Sequence, residues 1–121
     1  MIFSTETKNK ALKDLALLIA QNKEEIIAQN KIDIDGTGNI DPTLIDRLKV
    51  DDKKVDGMIA AVEDVITHED PQGNILHEYN HPNGMLVQNK VVPFGNILII
   101  YESRPDVTIE AAITAFKGGN K

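Results

Sequence analysis

Asn96-Ile97-Leu98-Ile99-Ile100-Tyr101 is the most restrictive stretch of the 121-residue sequence, uncharged and rich in β-branched residues. It is bounded by Pro93-Phe94-Gly95 on one side and by Ser103-Arg104-Pro105-Asp106 on the other. A continuous apolar run of this length reads as a strand buried on both faces, as inside a parallel sheet. Helical spacing follows at Ile109, Ala112, Ile113 and Phe116, and Gly118-Gly119 stops it. Strand, breaker and helix in this order form half of a βαβ unit. Such a strand needs a parallel neighbour, because buried N–H and C=O groups do not stay unpaired. The sequence up to Lys121 supplies none, so the chain reads as the front of something larger.

Upstream, the texture is helical. Leu12, Leu15, Ala16, Leu18 and Ile19 place a stripe on a helix over 7–20. Asn22 with Glu25 three residues later predicts a capping box, opening a second helix over 23–34 with Ile26 and Ile27 inward. Asp41-Pro42 is a cap followed by a first-turn proline and predicts a short helix to Leu48. Asp51 caps the strongest helical pattern, Val55, Met58, Ile59, Val62, Val65 and Ile66, ending near His68. Two extended runs, 75–81 and 85–92, then flank Pro82-Asn83-Gly84, and Asn-Gly between such runs predicts a tight hairpin.

Composition removes several function classes. There are 13 Lys+Arg against 19 Asp+Glu, a formal charge of −6, so no basic stripe is available for nucleic acid or an anionic membrane. Cysteine is absent, which excludes a disulfide framework, a thiolate metal site and a cysteine nucleophile from these residues. The opening residues lack the pattern of a secretory signal, and no apolar run is long enough to span a bilayer, so a cytoplasmic chain is expected.

Asp33-Ile34-Asp35-Gly36-Thr37-Gly38 imitates the start of a calcium loop, with Asp33, Asp35 and Gly38 at the first, third and sixth places. The twelfth place is Leu44, which offers no oxygen, and Pro42 starts a helix inside the loop. A calcium-binding module using 33–41 is therefore only an alternative reading. His68, His77 and His81 have no ligand spacing, and no metal site is expected. Glu24-Glu25 and Asp51-Asp52 fall in first helical turns, where the helix dipole accounts for them.

The segment Tyr101-Glu102-Ser103-Arg104-Pro105-Asp106 lies just past the carboxyl end of the expected strand and opens a helix. Ligands of open α/β sheets bind in that crevice, and helix N-termini favour anions. Arg104 can fork two donors onto a phosphate or carboxylate and Ser103 can add a hydroxyl. The alternative is that Arg104 pairs with Glu102 or Asp106 and closes a turn. Candidate binding residues are thus Arg104, Ser103, Glu102, Tyr101 and Pro105.

The run from Val92 to Thr108, containing Tyr101-Glu102-Ser103-Arg104-Pro105, with Ala115-Phe116-Lys117-Gly118-Gly119-Asn120 beyond it, closely resembles γ-glutamyl phosphate reductase. This family, also called glutamate-5-semialdehyde dehydrogenase, is part of the aldehyde dehydrogenase superfamily. Further matches are Lys8-Asn9-Lys10-Ala11-Leu12, Asn30 with Asp33, Asp46-Arg47-Leu48, Asp70-Pro71-Gln72-Gly73 and Pro82-Asn83-Gly84. The resemblance implies an α/β, aldehyde-dehydrogenase-like fold. Residues 1–74 would be the helical part of the cofactor-binding domain and 75–92 an oligomerisation hairpin. Residues 93–121 would be the first strand and helix of a Rossmann-like parallel sheet, with the catalytic domain outside this chain. It implies NADPH-dependent reduction of L-glutamate 5-phosphate to the semialdehyde with phosphate release, in proline biosynthesis. A cysteine thiolate would form a thioester that accepts hydride. No catalytic residue of that kind lies in this sequence, so the 121 residues alone are expected to be inactive. A homo-oligomer and association with a glutamate 5-kinase are further implications. The matching domain of a bifunctional pyrroline-5-carboxylate synthase is the rival reading.

Overall fold

Apolar residues recurring every three or four positions on two helices build the core. The computed structural model describes residues 3–102 and 104–121. Helix α1 runs Thr5–Gln21 and α4 runs Asp52–Thr67, and they pack side by side. Leu12, Ala16 and Ile19 meet Val55, Met58 and Val62 across this contact, all buried. Helix α5, Pro105–Lys117, packs on α4 and adds Ile113. Helices α2, Lys23–Gly36, and α3, Pro42–Leu48, lie at the edge, with Ile26 and Ile27 half-buried against the core.

Local chemistry sets the helix starts. The N–H of Thr7 donates to Ser4 Oγ, that of Thr43 to Asp41 Oδ1, and that of Lys54 to Asp51 Oδ1, so each side chain satisfies an orphan donor. Asn22 departs from the expected capping box. Its Nδ2 donates to Leu18 O at 2.7 Å, so it closes α1 and makes no side-chain cap for α2. One residue separates the two helices, and the Leu18 carbonyl accepts from both the backbone N–H and the side-chain amide of Asn22. Asn30, 6% exposed, accepts from Val50 N–H and donates to Leu48 O, which seats Val50 in the core.

The hairpin forms where expected, with β1 at Ile75–Asn80 and β2 at Leu86–Lys90, antiparallel. Tyr79 pairs with Val87 and Glu78 with Gln88, and the register shifts between Ile75 and His77. His81 N–H donates to Met85 O, Gly84 N–H to His81 O, and Gly84 takes φ +87°, a value that suits glycine. The ladder stands clear of the helices, and Val87 is its one half-buried position.

The expected strand at 96–101 is corrected. No strand is assigned there, and it is not buried on both faces. Leu98 and Ile100 are 85% and 87% exposed, whereas Ile97, Ile99 and Tyr101 are about half as open. That alternation is the two-residue period of an extended chain with one face over α1 and α5. The other face is bare because no described element packs over it. Two hydrogen bonds mark the start of the segment: Lys121 N–H donates to Gly95 O and Ile97 N–H to Lys121 O, both at 2.8 Å. This is the hydrogen-bond pattern of parallel strands.

Candidate functional site

Beneath the half-open side of 97–101 lies an open, apolar groove of about 530 Å³. Leu12 and Leu15 of α1, Ala112 and Phe116 of α5, and Ile97 and Ile99 form its walls. Tyr101 stands at the groove and its hydroxyl is bonded to that of Thr108, tying the end of the extended segment to the first turns of α5. Glu102 and Arg104 are exposed. Arg104 occupies the N-cap position of α5 and its C=O accepts from Val107 N–H at 3.0 Å, but its side chain gives no cap. Pro105, half-buried, starts the helix and borders a second groove against Ile26, Asn30 and Val50. Ser103 lies outside the described residues.

The structure therefore brings Tyr101, Arg104 and Pro105 to one end of α5. Among the described residues Arg104 forms no ion pair with Glu102 or Asp106, so the turn-closing alternative is not what holds it. The N-terminus of α5 has no side-chain cap and starts directly after the exposed Arg104, so the positive helix end and a cationic residue adjoin, a pairing suited to phosphate or carboxylate. Asp106 in the first turn carries one enclosed carboxylate oxygen, Oδ1, without a partner among the described residues.

The calcium alternative does not take the form it needs. Asp33 and Asp35 belong to α2, and the loop begins only after Gly36. Among the described residues no group of three or more His, Asp or Glu is placed to hold a metal. Nor is any helix there long and apolar enough to cross a membrane.

Sequence reasoning missed a buried polar node at the other end of α5. Lys8 is fully buried, and its Nζ donates to Asp70 Oδ1 and Oδ2, Gln72 Oε1 and Lys117 O within 2.9–3.1 Å. Thr5 Oγ1 also donates to Asp70. Lys117, 4% exposed, donates to Asn9 Oδ1 and to Ile66 O. Each ammonium thus meets the carbonyl end of a helix, α5 for Lys8 and α4 for Lys117, where the dipole favours a cation. The signal was present: Lys8 continues the stripe of Leu12, Ala16 and Ile19, and Lys117 continues that of Ile113. A lysine on a buried stripe needs oxygen partners.

Asp70 is held below the ordinary aspartate value. Burial pushes it up, but hydrogen bonds from Lys8, the Gln72 N–H and Thr5, with the Lys8 charge, outweigh that. A carboxyl depressed in the folded state stabilises above its unfolded value, about 4, and loses that contribution as pH falls through the folded value. Acid titration followed by circular dichroism is expected to show this loss below about pH 4. Asp70→Asn is expected to flatten the slope there; an unchanged slope would contradict the assignment.

Among the described residues the architecture is α/β: five helices and a projecting two-stranded antiparallel hairpin. No protein-family model matches the sequence. The chain is 41% identical over 119 residues to the γ-glutamyl phosphate reductase of Thermotoga petrophila, covering 97% of itself and 29% of that protein. It is 41% identical to that of Aquifex aeolicus, covering 96% of itself and 27% of its relative. A solved γ-glutamyl phosphate reductase from Thermotoga maritima superposes with a TM-score of 0.93 at 40% identity, over 98% of this chain and 29% of that one. The Saccharomyces cerevisiae enzyme superposes with a TM-score of 0.92 at 28% identity, over 99% of this chain and 31% of that one. The chain is a relative of the γ-glutamyl phosphate reductases along nearly its whole length, and spans less than a third of theirs.

Proposed function

We propose that this chain forms the helical body, hairpin arm and first sheet segment of a reductase acting on L-glutamate 5-phosphate. That enzyme converts the acyl phosphate to L-glutamate 5-semialdehyde with release of phosphate, a step of proline biosynthesis. The observation that carries the reading is the 40% identity and 0.93 TM-score to a solved γ-glutamyl phosphate reductase, sustained over 98% of this chain. On this reading 1–74 belongs to the cofactor-binding domain, 75–92 is the arm that reaches a partner subunit, and 93–121 opens a Rossmann-like sheet. The compartment is the cytoplasm and glutamate 5-kinase is the associated enzyme.

Within the reaction, this chain's part is positional and electrostatic. NADPH, when bound, supplies the hydride. The Arg104 guanidinium and the uncapped N-terminus of α5 are the groups here chemically suited to a phosphate. Displacement of phosphate from an acyl carbon concentrates negative charge on the leaving group, and a fixed cation facing it lowers the barrier. Ser103, next to Arg104 in sequence, adds a hydroxyl, while Tyr101 is tied to α5 through Thr108. The nucleophile is not among these residues, which contain no cysteine. The test is to follow nicotinamide absorbance and released phosphate in the longer protein that carries this segment, with L-glutamate 5-phosphate as substrate. Equal molar loss of NADPH and gain of phosphate is the expected result; neither signal above background overturns the reading.

A further inference from the structure

We propose that the buried lysine node is a positioning device that sets the first parallel pairing of the sheet, between Gly95–Ile97 and Lys121. The inference does not depend on which reaction the protein catalyses.

Each step of the route is a contact. Lys8 Nζ holds Gln72 Oε1 at 2.9 Å. That oxygen lies so close to Gly119 that a Cβ there would stand 2.6 Å from it, and Gly119 has φ +83°. The turn after α5, closed by Gly119 N–H to Phe116 O and Asn120 N–H to Ala115 O, thus rests against Gln72, and the positive φ of Gly119 suits glycine. From this turn Asn120 Oδ1 accepts from Gly95 N–H at 3.1 Å. The next residue, Lys121, makes the two parallel-type bonds to Gly95 and Ile97. Lys8 also takes the C=O of Lys117, so the exit of α5 and the 70–72 loop are referred to one atom. The hairpin base joins the same frame, because Gly73 N–H donates to Val91 O and Val91 N–H to Asn74 O.

Stability alone is a poor account of this arrangement. A buried ion pair is often no more stabilising than well-packed apolar side chains, and Lys8 sits where a leucine would continue the stripe. What an ammonium adds is direction: its hydrogens demand oxygens at fixed places. Here those oxygens come from the loop and the helix end that position Gly119 and Lys121.

The test is amide hydrogen exchange on the full protein chain, comparing the parent with Lys8→Met and Gln72→Ala. The second variant leaves the Lys8–Asp70 pair in place and removes the Gln72 side chain that lies between Lys8 and Gly119, so it decides the matter if the first fails to fold. In both, the Gly95, Ile97 and Lys121 amides are expected to exchange about tenfold faster, while Met58 and Val62 in α4 stay within about twofold of the parent. Equal acceleration at all these positions would make the node a plain stability element and overturn the proposal. Unchanged exchange at Ile97 and Lys121 would overturn it too.

Discussion

Asp70→Ala is expected to cost about 3 kcal/mol of folding stability, read as a lower urea midpoint with unchanged slope. The substitution leaves Lys8, whose side chain is 1% exposed, without its carboxylate. Removing one member of a buried pair strands the other charge, and that desolvation rather than the lost attraction sets the size of the effect. The figure sits at the low end for such pairs because Gln72 and the Lys117 carbonyl remain as acceptors and the Asp70 rim is 10% exposed. About 3 kcal/mol is a large share of a small domain's total stability. The Lys10–Asp14 pair is the natural control, since both side chains are more than half exposed. Its loss is expected to leave the midpoint unmoved. A parental midpoint for Asp70→Ala would mean that neutral oxygens alone satisfy Lys8.

On the proposed function, Arg104→Ala in the longer protein that carries this segment is expected to lower kcat/KM for the acyl phosphate about 10²-fold, with the KM for NADPH essentially unchanged. Placement sets the effect: Arg104 is exposed at the uncapped start of a 13-residue helix, with no ion pair among the described residues to neutralise it. Charge on the leaving phosphate grows in the transition state, so the loss should fall on kcat more than on KM. Arg104→Lys keeps the charge but loses the two-pronged geometry, and should recover only part of the rate. Equal kinetics for mutant and parent would remove Arg104 from the site.

The helices were legible because their signals are local. Asp41-Pro42, the spacing of Val55, Met58 and Val62, and the Asn-Gly turn each act within a few residues, and each formed as expected. Asn22 misled because its amide had two uses within reach, and the carbonyl of Leu18 behind it won over the N–H groups ahead. The composition of the 96–101 run suits a doubly buried strand, but burial and pairing depend on neighbours far off in sequence. The described residues cover one face of it and supply two ladder bonds at its start. For the candidate site, the sequence located the Tyr101–Arg104 loop through its place after an apolar run. It did not disclose the Lys8 node, in which Lys8 meets Asp70, Gln72 and Lys117, each more than 60 residues away, only when α1, α5 and the 70–72 loop pack.

The most direct test of the account is a segment exchange. This 121-residue chain would replace the matching stretch of the Thermotoga maritima γ-glutamyl phosphate reductase, to which it superposes over 98% of its length. The measurement is NADPH oxidation dependent on L-glutamate 5-phosphate by the purified, folded chimera. The account predicts turnover that Arg104→Ala within the exchanged segment abolishes or sharply reduces. A chimera that folds, binds NADPH and still does not turn over the acyl phosphate would contradict it.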